Sequence, residues 1–90
     1  MSDMQNQMAA LLANFNAEVF EFTDQSHLHA GHAGNKGGGH YAVLIVSDVF
    51  AGKNRIARWR MVQAAFAPLF DAGKIHALSI DAQTPTEYFH

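Results

Sequence analysis

The stretch Tyr41 to Ser47 reads Tyr-Ala-Val-Leu-Ile-Val-Ser, an apolar run with glycines on both sides, Gly37 to Gly39 before it and Gly52 after it. A membrane-spanning helix needs about 20 apolar residues, so this run is far too short to be one. A short, unbroken apolar segment rich in β-branched residues is the pattern of a strand covered on both faces, which is the middle of a sheet. The rest of a 90-residue chain has to be arranged around that strand.

The flanking segments carry their own periods. Across Ser2 to Asn14 and just beyond, Met4, Met8, Leu11, Leu12 and Phe15 fall at helical spacing. Ser2 and Gln5 stand as a capping pair, and Asn14 and Asn16 mark the stop. Ala17 to Thr23 alternates, with Glu18, Phe20 and Phe22 on one side, so it reads as a strand with one covered face. Asp24 to Gly39 is a long loop containing His27, His29 and His32 among its glycines.

After a turn centred on Gly52, Asn54 to about Phe70 reads as a helix with Ile56, Trp59, Val62, Phe66 and Leu69 as its core stripe. Pro68 should break it near Ala67 and leave a short turn to Asp71. Gly73 lets the chain reverse into a strand over Ile75 to Ala82, with His76, Leu78 and Ile80 on one face. Thr84 as N-cap, Pro85 at the first helical position and Glu87 closing a capping box start a last helix.

The order is therefore α-β-β-α-(α)-β-α, an α/β (α+β) arrangement. The first two strands make an antiparallel hairpin, and the second and third are joined by a helical crossover as parallel neighbours. The expected fold is a three-stranded mixed sheet with helices on one face. Residues 1–90 make one domain, because two separate cores of this size would not offset chain entropy.

Composition narrows the function. The hydrophobic share of 49% and charged share of 16% suit a packed domain. With a net charge of -2, bulk electrostatics give no support for nucleic-acid or acidic-membrane binding. There is no cysteine, which removes disulfides, thiol nucleophiles and any thiolate metal site made by this chain alone. The first residues lack a basic, then apolar, secretory pattern, so a cytoplasmic location without membrane attachment is the default expectation.

Two groups of residues can carry chemistry. The His27-x-His29-x-x-His32 spacing is either a solvated polar loop or a set of imidazole ligands. It fits neither a zinc finger nor a helical His pair, but with His76 it would let the chain bind zinc, nickel or copper by itself. Lys53, Arg55, Arg58 and Arg60 cluster after the Gly52 turn. Arg58 and Arg60 lie roughly 200° apart around a helix, so they flank the buried stripe and do not share a face. The cluster is either a solvated surface or a phosphate contact for nucleic acid. Gly52-Lys53-Asn54-Arg55 lacks the second glycine of the Gly-x-x-Gly loop by which KH domains hold RNA. No catalytic triad, phosphate loop or dinucleotide fingerprint is present, so an enzyme is not indicated.

Val46-Ser47-Asp48, Phe50-Ala51-Gly52-Lys53, Arg58-Trp59-Arg60-Met61-Val62, His76-Ala77-Leu78-Ser79-Ile80 and Thr84-Pro85 occur in that order. Together, over roughly Ala17 to Tyr88, they resemble the BolA family. The resemblance implies a class II KH-like fold. It also implies a [2Fe-2S] cluster shared with a monothiol glutaredoxin and its bound glutathione. On this resemblance His29 is the best match to the family's loop ligand, His32 the next, and His76 matches the strand ligand. His40 also matches a family histidine and is read as structural. Trp59 stands where the family usually has histidine, so that histidine's role does not transfer; the helix pattern makes position 59 a core position. The family's description as transcriptional regulators makes DNA an alternative partner, through Lys53, Arg55, Arg58 and Arg60. Such a cluster needs four ligands and this chain has no thiolate, so the missing ligands must come from another molecule. The chain alone is expected to be a monomer.

Parallel neighbours start at the same end of a sheet. His76 is therefore expected to be at least partly exposed, at the end where the histidine loop returns, with His29 or His32 able to reach it. The loop itself is expected to be mobile without partner or metal, given Gly37 to Gly39.

Overall fold

Residues 3–26 and 39–90 are described by a computed structural model. In it the apolar run lies in β2 (Gly39–Val46), the middle of a three-stranded sheet ordered β1-β2-β3. β1 (Val19–Asp24) pairs antiparallel to β2, and β3 (Ile75–Gln83) pairs parallel to it. The remaining elements are α1 (Asp3–Leu11), a 3-10 turn at Ala13–Phe15, a second at Asp48–Phe50, α2 (Arg55–Ala65), α3 (Ala67–Asp71) and α4 (Pro85–Phe89). The expected order and mixed sheet are thus what the chain forms.

Register fixes which side is the core. Phe20 and Phe22 sit opposite Ile45 and Val43, which in turn sit opposite Ala82 and Ile80. This face packs against Met8 of α1 and Leu12 just after it, Phe50 of the second 3-10 turn, Val62 of α2, Phe66 between α2 and α3, and Leu69 of α3. The other face carries exposed Glu21, Thr23, Ser79 and Asp81 and half-buried Ala42 and Leu44. The expectation that the apolar run would be covered on both faces is therefore corrected. The helices cover one face, and Ala42 and Leu44 keep part of their surface.

α1 is shorter than the Ser2 to Asn14 reading, because the chain tightens into the 3-10 turn and is reversed by Asn16 in the left-handed region at φ 49°. Ser2, half of the expected capping pair, lies outside the described residues. Ser47 ends β2, fully buried. Its hydroxyl donates to the Phe15 carbonyl and accepts from the Val49 N–H, joining the exit of β2 to the turn that precedes β1. α2 begins with the Asn54 side chain accepting from the Ala57 N–H, and Pro68 opens α3 as expected. The Thr84–Glu87 capping box that starts α4 is complete.

The core stripe of α2 needs correction. Ile56 is 61% exposed and Trp59 48% exposed, whereas Val62 and Phe66 are fully buried. The inward row is Arg58, Val62 and Phe66, spaced at i, i+4 and i+8, with Met61 and Ala65 beside it. At about 100° per residue, Ile56 stands roughly 120° around the helix from Val62, and Arg58 only about 40°. An arginine at the head of an apolar row conceals that row from a hydropathy pattern, and the stripe shifts onto its apolar neighbours.

Candidate functional site

Because β2 and β3 run parallel, their first residues share one end of the sheet. Gly39 N–H donates to the Lys74 carbonyl at 3.0 Å, and Gln25 N–H donates to the His40 carbonyl at 2.7 Å. Ser26 Oγ accepts from His40 N–H at 3.0 Å, and Ser26 N–H donates to the Asp24 carboxylate at 2.9 Å. Ser26 and Gly39, the described residues that flank positions 27–38, therefore stand at this end. A Cβ at Gly39 would strike the far end of the Tyr41 ring, which would have to shift. Burial, and then the Asp24 carboxylate, push the Tyr41 phenol up, while a hydrogen bond with Ser26 opposes them.

His76 stands at the same end. Gly39 pairs with Ile75, but His40 pairs with Ala77, so β3 carries one extra residue at a register shift. The bulge keeps Ile75 buried and leaves His76 exposed. The reading that set His76 on one face with Leu78 and Ile80 is corrected, since those two pack against the core. The His76 ring instead lies beside the half-buried His40, with centroids 5.0 Å apart and planes tilted by 45°. His40, read as structural from the sequence, thus shares the site. The signal for it was available in the alternation of β2, which turns position 40 away from the core.

His27, His29 and His32 lie outside the described residues, as do Gly37 and Gly38 and the mobility expected of that loop. Among the described residues no group of three or more histidine or acidic side chains is gathered to hold a metal ion. What these residues offer is a pair of imidazoles on an open sheet face. As donors, imidazoles suit iron, zinc, copper or nickel, and a pair supplies only part of a coordination shell.

The basic cluster is divided by the fold. Arg58 is turned inward: its Nε–H donates to the Lys53 carbonyl at 2.9 Å, and its Nη1 donates to the Ala82 carbonyl at 3.1 Å. Its two terminal nitrogens also grip Glu87, at 2.7 and 3.1 Å. The Arg58 guanidinium and then the Thr84 backbone N–H hold the Glu87 carboxyl down at about 2. Arg58 thus ties α2 to the end of β3 and to α4, and it is not a spare phosphate donor as the nucleic-acid reading required. Lys53, Arg55 and Arg60 are exposed. Lys53 and Arg55 line an open cleft of about 720 Å³ together with Trp59, Asp81, Gln83 and Glu87.

Among the described residues no helix is long and apolar enough to cross a membrane. The profile of the family described as BolA-like protein matches residues 11–87. A Sinorhizobium protein described as an uncharacterized protein in the cobS 5' region is 39% identical over 80 residues, covering 86% of this chain and 85% of its own length. Protein BOLA1, chloroplastic, of Arabidopsis thaliana is 46% identical over 68 residues, covering 71% of this chain but 42% of its own. The chain thus spans well under two thirds of that relative, and a chloroplast form among the relatives means that kinship does not assign the cytoplasm. The solved BolA domain of SufE1 from Arabidopsis thaliana superposes with a TM-score of 0.81 at 33% identity, covering 97% of this chain and 98% of that one. Sequence and fold agree over nearly the whole length, and the chain belongs to the BolA-like family.

Proposed function

We propose that this chain is a non-enzymatic adaptor that shares a [2Fe-2S] cluster with a thiolate-bearing partner, a monothiol glutaredoxin with its glutathione. The observation that carries the reading is the exposed His76, ring to ring with His40, at the sheet end that also holds Ser26 and Gly39. The donor chemistry fits. Imidazole is an accepted ligand to one iron of such a cluster when thiolates hold the other. This chain has no cysteine, so its own share of the ligands is nitrogen. His76 is the strand ligand, and His29, or else His32, is the ligand from the loop. His40 packs against His76 and orients its ring, the part an outer partner plays for a metal-binding histidine. Kinship with the BolA domain of a SufE protein is consistent with a role around iron–sulfur chemistry.

Anaerobic gel filtration with cluster-loaded monothiol glutaredoxin tests the reading. The expected result is one peak that holds both proteins and the visible absorbance of the cluster. Separate elution, with the cluster remaining on glutaredoxin alone, would contradict it.

A further inference from the structure

The cleft at the far end of β3 is a second surface, independent of the histidine end. Its strand wall is Ile80 to Gln83, roughly 13 to 23 Å along the strand from His76. Its helix wall is the start of α2, where Trp59 is 48% exposed; Ile56, 61% exposed, stands one turn earlier, outside the lining of the cleft. Large apolar side chains left open side by side mark contact surfaces more often than isolated ones do. Lys53 and Arg55 stand at the same wall, and among the described residues neither side chain has an ion pair or hydrogen bond. The surface therefore offers an aromatic plane, an aliphatic neighbour and two uncommitted cations.

We infer that this cleft docks a short acidic peptide segment of a protein partner, with an apolar side chain on Trp59 and carboxylates on Lys53 and Arg55. Charge complementarity chooses this occupant over nucleic acid. Asp81 and Glu87 line the same cleft, so a continuous phosphate backbone would run against two carboxylates. Arg58, the cation a phosphate would need, is spent on Glu87 and the Ala82 carbonyl. The chain as a whole carries a net charge of -2, which opposes a polyanion. A short segment with two carboxylates beside one apolar side chain can set both on Lys53 and Arg55 and stay clear of Asp81 and Glu87. Because Arg58 holds the Ala82 carbonyl at the outer edge of β3, strand addition is closed off at this end. Side chains therefore make the contact, with Trp59 as its anchor. Tryptophan and arginine are the residue types that most often dominate binding energy. This inference does not rest on the cluster reading, and the two can fail separately.

Trp59 is the only tryptophan in the chain, so intrinsic fluorescence reports on this cleft alone. The full chain, without cluster or glutaredoxin, is titrated with a short synthetic peptide whose only charged side chains are two glutamates flanking a leucine, and separately with a single-stranded DNA oligonucleotide. Arg55→Glu serves as the variant because it keeps the reporter, is exposed, and places an acid at a helix N-terminus where it is tolerated. Saturable emission change with the peptide, weakened about tenfold or more in Arg55→Glu, supports the inference. Calorimetry on Trp59→Ala, folded by circular dichroism, should show a similar loss. No emission change at millimolar peptide overturns it, as does equal binding by Arg55→Glu or tighter binding of the oligonucleotide than of the peptide.

Discussion

The imidazole rings of His40 and His76 lie 5.0 Å apart on the face of the sheet that the helices leave open. The bulge in β3 lets Ile75 face the core together with Leu78 and Ile80 while His76 stays outside: without the extra residue, either Ile75 or the Leu78 and Ile80 pair would turn from the core. His76 is exposed, so its ring adds little to the packing of the fold. His76→Ala should change unfolding stability by no more than about 0.5 kcal/mol. Urea denaturation measures this, and a loss above about 1 kcal/mol would mean that the ring is held in place by packing.

At this same end the Tyr41 ring lies over Gly39. In Gly39→Ala the new methyl collides with the Tyr41 ring, and the ring or the strand must move. The expected cost is about 1 to 3 kcal/mol, with amide chemical-shift changes concentrated at residues 24–26, 40 and 76. Unchanged shifts at His40 and His76 would separate Gly39 from the candidate site.

Ser47 is a buried polar residue whose hydroxyl serves both a donor and an acceptor. Ser47→Ala leaves the Phe15 carbonyl and the Val49 N–H without that partner, at a cost of about 1 to 3 kcal/mol. Thermal unfolding should show the loss, while the proposed cluster sharing, assigned to the other end of β2, should be unchanged in the folded variant.

Glu87 has a folded value of about 2 against its ordinary 4.5. A carboxyl held below its unfolded value stabilises fully above the unfolded value, and loses that contribution as pH falls through the folded one. The melting temperature of wild type should therefore exceed that of Glu87→Gln at neutral pH. The gap should narrow between about pH 4.5 and pH 2 and close below that. A gap independent of pH over this window would mean that the Arg58 contact does not act through charge.

Much of the architecture was readable in the residues. The apolar run, the Pro68 break and the Thr84–Glu87 box each express a local rule, and each appears where that rule puts it. The misses were non-local. Arg58 lies on the inner row of α2 because Glu87 and the Ala82 carbonyl, distant in sequence, satisfy its charge. With that position filled, Trp59 moves to the rim, which no helical wheel reveals. The His76 bulge likewise arises from register between β2 and β3, a property of the pairing and not of either strand. The exposure of His76 was legible from strand direction alone, but its contact with His40 required the actual register.

The central claim is that His76 is a ligand to a cluster shared with a partner. Visible circular dichroism of cluster-loaded monothiol glutaredoxin, recorded anaerobically before and after adding this protein, tests it most directly. The account predicts a new spectrum that differs from the sum of the two components and that His76→Ala alters or abolishes while the proteins still associate. A spectrum equal to that sum, or one that His76→Ala leaves unchanged, would contradict it.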